Sequence, residues 1–390
     1  MSSTPRPKWI IDCDPGCDDA VALALAAQKV PQDTTVDVLT VAGNVGVDLT
    51  TWNAWRVIAE CQKQWNVHRG CRRSLSGEAV PAASVHGRDG LGDIPIGVAG
   101  KAEPLSKLPS LSTAVRRLRE IVDEAAPFVI VCTGPLTNLA TAFNLMSTSQ
   151  HKAFWNNCQR CVIMGGSFKA AGNITAAAEF NCHFDPIALH SVLESWREVQ
   201  QGDEPKIHFV PLDVTETVGI PIPDPAQHTV TPGETSPAAV FLGAALRKYG
   251  QFHARFCQRP RTEDGTDYGI GNFEEEKYLR ERVKGASGAK YLAPFCYLHD
   301  PLAVWAALNL DSKAKDLWET NSISVDTVPG PNRGRILIHK GPSYNPTRLL
   351  TLGTKVKWMD PRRVTQGIRD DFVNEIKTLL GMPAGDKNGK

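Results

Sequence analysis

Short apolar runs recur along the chain, and most end in a small-residue turn followed by a stretch of helical composition. The first is Trp9, Ile10 and Ile11, followed by the turn Pro15-Gly16 and the apolar run 20–27. An apolar run bounded by turn residues reads as a buried strand, and the longer run as a buried helix. The same unit returns at 36–42, with the turn Gly43-Asn44-Val45-Gly46 and a helix over 49–60. It returns again at 128–132, where the Gly134-Pro135 turn leads into a further helix. Strands are also expected at 161–164, 207–212, 322–325 and 335–339, and helices at 113–124, 240–256, 302–308 and near 361–380. Strands alternating with helices predict an α/β chain.

The turn after the first strand carries four carboxylates, Asp12, Asp14, Asp18 and Asp19. Asp12 and Asp14 are two apart and leave a strand on the same side. Asp18 and Asp19 fall at a helix start, where the dipole and the free N–H groups favour negative charge. One helix terminus does not hold four acids, so they must share protons or share a cation. Oxygen ligands alone suit a hard ion, calcium or magnesium, better than zinc. The other reading is one helix cap plus three solvated acids. An EF-hand loop beginning at Asp12 is excluded, because its twelfth position is Leu23 and not an acid. A phosphatase using an Asp of the strand end as nucleophile would need a phosphate-cradling Ser/Thr and Lys, for which no clear segment is present.

Further candidates lie at corresponding places. Asn44 follows the second strand, at the sheet edge where open parallel α/β proteins bind ligands, although an Asn beside Gly is also a turn former. The carbonyl of Thr133, before a tight Gly-Pro turn, is a suitable neutral ligand for a hard cation. Asn173, Glu179 and Asn181 are polar groups suited to hydroxyl-rich ligands, or members of a surface loop. Asp185 reads as a helix N-cap before Pro186, and Asp300 reads on local grounds as another. The polar, Gly-rich stretch 258–289 is expected to be a mobile insertion, serving as a lid or as a solvated loop.

Composition narrows the classes. The chain has 390 residues and a net charge of +1. Its pI is near 7.6, so neither nucleic acid nor a membrane surface is an expected partner. No run has the length of a transmembrane helix, and the first nine residues lack a signal-peptide core. The ten cysteines are scattered, and the single C-x-x-C (Cys158 to Cys161) has no partner pair. Reduced thiols in a cytoplasmic protein are therefore expected, in one domain over 1–381 with a disordered tail at 382–390.

The blocks DCDPGCDDA (12–20), VAGNVG (41–46), HGRDGLG (86–92), CTGPLTNLA (132–140), MGGSF (164–168) with GNITAAAEFN (172–181), and HDPLAVW (299–305) occur in this order. Together they resemble the inosine-uridine nucleoside hydrolase family from about residue 9 to about residue 380. The resemblance implies an open, mostly parallel, Rossmann-like α/β sheet with helices on both faces. It implies hydrolysis of the N-glycosidic bond of ribonucleosides such as uridine and inosine, in nucleoside salvage, with calcium as cofactor. By the same resemblance Asp14, Asp19, Asp300 and the Thr133 carbonyl are calcium ligands, and Asp14 is also the general base. Asp18, Asn44, Asn173, Glu179 and Asn181 would hold ribose hydroxyls, and Met164 would line the sugar pocket. His299 falls where one branch of the family places a base-contacting histidine, a candidate acid for the leaving base. Asp12 would orient the turn, and the role of His86 stays open. Tyr249, His253, Tyr291 and Tyr297 are candidates for stacking on the base. A homodimer or tetramer is implied. Two other readings keep the fold: hydrolysis of another ribosyl compound, such as nicotinamide riboside or a modified nucleoside, and calcium-dependent ribose binding without catalysis.

Overall fold

A computed structural model of the protein describes residues 7–77, 81–94, 112–200, 204–221, 236–257, 295–339 and 353–382. The expected insertion at 258–289, Tyr291 and residues 383–390 of the expected tail lie outside the described residues.

Eleven strands are described. These are β1 (Lys8–Cys13), β2 (Val36–Thr40), β3 (Asn66–Arg69), β4 (Phe128–Cys132), β5 (Cys158–Met164), β6 (Ile207–Val210), β7 (Gly219–Pro221), β8 (Phe295–Tyr297), β9 (Trp318–Val325), β10 (Ile336–His339) and β11 (Thr354–Met359). Nine of them form one sheet in the order β10-β9-β11-β6-β5-β4-β1-β2-β3, while β7 and β8 pair separately. Neighbours from β3 across to β11 are parallel, and β9 runs antiparallel to both strands beside it.

Alternation along the central strand divides the core in two. Trp9, Ile11 and Cys13 join one apolar cluster with the helices Cys17–Lys29, Val47–Glu60, Pro237–Cys257, His299–Asn309 and Gln366–Leu379. Ile10 points the other way, toward Thr113–Asp123, Thr137–Asn144, Thr148–Asn157 and Pro186–Val199. The open sheet with helices on both faces is thus the observed architecture. A strand buried on both sides needs apolar residues at successive positions, as in the uninterrupted Phe128–Cys132 run. Ile10 and Ile11 are wholly buried, and each such side chain contributes about 1.5–3 kcal/mol of transfer free energy.

The order of strands also fixes where a ligand site can form. From β1 the chain moves outward through β2 and β3, then returns to β4 on the other side of β1. That reversal opens a crevice at the carboxyl ends of β1 and β4, the switch point at which open α/β sheets take ligands.

Some elements depart from expectation. The strand expected over 207–212 stops at Val210, and Leu212–Thr215 turns into a short helix that contains Asp213. β3 and β11 were not expected, because NVHR and TKVKWM carry no uninterrupted apolar run. Their register comes from their neighbours β2, β6 and β9. Asp300 is not the cap of its helix. Leu298 takes that place without any side-chain cap, and Asp300 lies in the first turn. Among the described residues, no helix is long and apolar enough to cross a membrane.

Candidate active site

Three segments bring acids to the switch point. The β1 end supplies Asp12 and Asp14, the start of Cys17–Lys29 supplies Asp18 and Asp19, and the start of His299–Asn309 supplies Asp300. Carboxylate oxygens of Asp18, Asp19 and Asp300 lie within 4.8 Å of one another, and all three residues are buried. Asp14 stands beside this trio and is joined to it through Asn44. The Asn44 backbone N–H donates to Asp14 Oδ2 at 2.7 Å, while its Nδ2 donates to Asp19 Oδ2 at 3.1 Å. Asp19 also accepts from Gly16 N at 3.0 Å and from the Thr133 hydroxyl at 2.8 Å.

Two motif glycines exist to make room for Asp14. A Cβ on Gly43 would sit 2.0 Å from Asp14 Oδ2, and one on Gly134 would sit 2.7 Å from Asp14 Oδ1. Neither position tolerates a side chain while the carboxylate occupies that space.

Burial drives the electrostatics. It pushes Asp14 and Asp300 well above the usual carboxylate range, with Asp19 adding to the rise at Asp14 and Asp18 to that at Asp300. Asp18 rises to about 7, by burial and then by repulsion from Asp19, and Asp19 itself is raised by burial. Asp14 Oδ1 and Asp18 Oδ1 are buried with no hydrogen-bond partner. Such oxygens are poorly accommodated unless they are protonated or face a cation. Converging buried carboxylates with unpaired oxygens, next to a backbone carbonyl, fit a hard divalent cation. The donor set contains no sulfur that would favour a soft one.

Asp12 stands apart from this cluster. Its Oδ1 accepts from Asn138 Nδ2 at 2.8 Å, and Asn138 also holds the Thr40 carbonyl and the Cys71 amide. Burial lifts Asp12 to about 7. This is a supporting position, and Asn138, inside the CTGPLTNLA block, was not singled out from sequence.

The 164–181 segment forms a second wall. Glu179 is buried and caps Phe180–Phe184, accepting from the amides of Asn181 (2.7 Å), Cys182 (3.0 Å) and Gly166 (3.0 Å). The Cys182 thiol is a fourth hydrogen-bond partner of this carboxylate, and these bonds oppose the burial that raises its pKa. Asn181 Nδ2 donates to the Thr133 carbonyl at 2.9 Å and approaches Met164 O and Sδ. That carbonyl therefore keeps one lone pair for a cation. Asn173 is exposed, and its Oδ1 accepts the Phe180 amide at 2.8 Å, closing the loop rather than entering the buried cluster.

A chain of rings covers the acids. His86 stacks on Tyr249 at 5.2 Å, Tyr249 meets His253 at 4.4 Å, His253 meets Tyr297 at 5.1 Å, and Tyr297 meets His299 at 5.8 Å. Tyr249 and His253 come from Pro237–Cys257, so three of the four aromatic candidates are gathered here. His86, whose role was open, accepts the Cys17 amide at Nδ1 (3.1 Å). That bond requires Nδ1 to be unprotonated, in line with burial and then the charge of His299 lowering its pKa to about 3. The 3.9 Å approach of Nδ1 to Asp18 is therefore not an ion pair. His299 is pushed down to about 4 by burial, and its Nδ1 lies 2.7 Å from the Thr215 hydroxyl. Nothing in the sequence pointed to Thr215, because its partner lies 84 residues away.

Sheet and crevice together define an α/β protein with a buried acidic site able to take a metal ion. The chain belongs to the inosine-uridine preferring nucleoside hydrolase family, whose model it matches over residues 9–365. It is 40% identical over 188 residues to the pyrimidine-specific ribonucleoside hydrolase RihA of Photobacterium profundum, covering 48% of this chain and 56% of that one. Identity is 38% over 213 residues to an uncharacterised Schizosaccharomyces pombe protein, covering 54% of this chain and 58% of that one. The chain thus spans little more than half the length of these curated relatives. Among solved structures, a plant nucleoside hydrolase (PpNRh1 enzyme) superposes with a TM-score of 0.67 at 25% identity, over 97% of this chain and 100% of that one. A purine-preferring ribonucleoside hydrolase from Gardnerella vaginalis shares the fold, with a TM-score of 0.64 at 22% identity over 96% and 98% of the two chains.

Proposed function

We propose that the protein hydrolyses the N-glycosidic bond of ribonucleosides, releasing ribose and the free base, with calcium held by Asp14, Asp19, Asp300 and the Thr133 carbonyl. The observation that carries this reading is the buried acidic cluster with the unpartnered Asp14 Oδ1 beside it. When bound, the ion supplies Lewis acidity and a template for ribose hydroxyls and water. Asp14 Oδ1 takes the proton of the attacking water, so inversion without a covalent intermediate follows. Asp18, Asn44, Glu179 and Asn181 bind the ribose hydroxyls, Met164 packs under the sugar, and Asn173, at the surface, holds the loop before Phe180 and reaches the sugar only from the rim. Positive charge developing on the ribose is stabilised by the anionic floor. His299, neutral at pH 7, donates an N–H to the departing base, which the ring chain covers.

Uridine and inosine are the substrates this reading favours, on the family description and the pyrimidine-specific name of the RihA relative. Nine of the ten cysteines are free thiols, which supports a reducing, cytoplasmic setting. A homo-oligomer belongs to the same proposal. Ribose release from uridine, cytidine, inosine, adenosine and nicotinamide riboside, with calcium and after chelation, tests it. Calcium-dependent release from uridine or inosine is expected, and release from nicotinamide riboside alone would move the substrate. No release from any of them would favour ribose binding without catalysis.

A further inference from the structure

The helical turn Leu212–Thr215 follows β6 and touches both ends of the site. Asp213 accepts the amides of Phe168 (2.8 Å), Lys169 (2.7 Å) and Ala170 (3.0 Å), and Leu212 N donates to the Gly166 carbonyl at 3.0 Å. The turn is therefore fastened to the loop that follows Met164. Two residues on, Thr215 is wholly buried, its amide donates to Pro211 O at 3.0 Å, and its hydroxyl meets His299 Nδ1 at 2.7 Å.

Two proton arrangements satisfy that distance, and they are not equivalent. If Nδ1–H donated to Oγ1, the hydroxyl proton would need another acceptor. Among the described residues, His299 is the only hydrogen-bond partner of the Thr215 side chain. The proton would then be left buried and unpaired, which is unfavourable. If the hydroxyl donates instead, both atoms are satisfied and the imidazole proton resides on Nε2.

We infer that Thr215 is a positioning residue that holds His299 as the Nε2–H tautomer, so that this ring presents a donor, and not an acceptor, to the ligand. The inference rests on the nucleoside hydrolase reading for its kinetic consequence only. The turn, braced through Asp213, fixes the ring from behind. A base that offers a ring nitrogen or carbonyl oxygen at this point is the one matched, and a base offering only an N–H there is rejected.

The experiment pairs Thr215→Val, which keeps the shape and deletes the hydroxyl, with Thr215→Ser, which keeps the hydroxyl. Long-range nitrogen–proton NMR spectra of the imidazoles, with His299→Asn to assign the resonance among the ten histidines, report the tautomer without turnover. The wild type is expected to show Nε2–H, Thr215→Val to lose that single tautomer, and Thr215→Ser to keep it. In ribose release, kcat of Thr215→Val should fall roughly tenfold or more, within the usual range for a misplaced acid–base group, with KM changed by less than about twofold. Thr215→Ser should restore it. An Nδ1–H wild type, or a Thr215→Val spectrum identical to it, overturns the inference, as does a changed spectrum with unchanged kcat. A wild type that releases no ribose would instead count against the functional reading, while the spectra still decide the tautomer.

Discussion

The Tyr249 hydroxyl donates to Asp18 Oδ2 at 3.2 Å, tying Pro237–Cys257 to the first turn of Cys17–Lys29 across 231 positions of sequence. Tyr249 is thereby more than a base-stacking candidate, because it also holds an acid assigned to the ribose. Tyr249→Phe keeps the ring stacked on His86 and removes only this bond. The expected result is a loss of about tenfold in kcat/KM for nucleosides, from roughly 1.5 kcal/mol for a hydrogen bond to a charged group, with Tm nearly unchanged. Steady-state ribose release beside a thermal melt checks it.

Asp14→Asn preserves the volume of the side chain and its acceptor toward the Asn44 amide, but it cannot take up a proton. Turnover should fall by about a hundredfold or more while the far-UV circular dichroism stays that of the wild type. Near-normal rates would remove Asp14 from the role of base.

Metal removal should reveal the strain among the acids. Asp12 and Asp18 titrate near 7 in the ion-free fold, against 3.8 for the ordinary group. Because the folded-state values are raised, their contribution to stability is fully present below about pH 4 and is lost as pH rises toward 7. Chelated protein should therefore melt at progressively lower temperature across that window. Calcium should raise Tm by an amount that grows with pH and should release protons on binding. Titration calorimetry in buffers of different ionisation enthalpy measures that release, and a calcium shift independent of pH would contradict the cluster as its site.

A second buried carboxylate behaves in the opposite sense. Burial raises Asp37, but hydrogen bonds and charges from His68 and Arg117 outweigh it and bring the group down to about 2. The contacts are 3.1 Å to His68 Nε2 and 2.8 Å to Arg117 Nε. This stabilisation is present above pH 3.8 and is lost as pH falls toward 2. Asp37→Asn should lower stability by about 2–3 kcal/mol at pH 7 and flatten the decline between pH 4 and 2, leaving kcat intact. Urea melts at several pH values provide the test.

The local signals that proved readable share one property: their residues sit within one strand–turn–helix unit. The strand over Trp9–Ile11, its turn and the buried helix after it follow from apolar runs and turn residues that need no distant partner. Four aspartates within eight positions announced a charge problem before any fold was known. Glu179 was found as a polar group, yet its role as cap of Phe180–Phe184 was not, since a five-residue helix leaves little periodicity. β3 and β11 escaped for a similar reason: their pairing is supplied by neighbouring strands, not by their own composition.

Sequence alone thus determined the α/β units, the acidic turn and, through ordered motifs, the family. Tertiary structure decided which acids meet, because Asp300 reaches Asp18 and Asp19 only when Cys17–Lys29 and His299–Asn309 pack together on one face of the sheet. It also decided that Asn173 stays at the surface, that His86 is an acceptor and that Thr215 holds His299. The reason is physical. Hydrogen bonds and repulsions fall off over a few ångströms in space, and chain separation carries no information about them once the sheet has closed the distance.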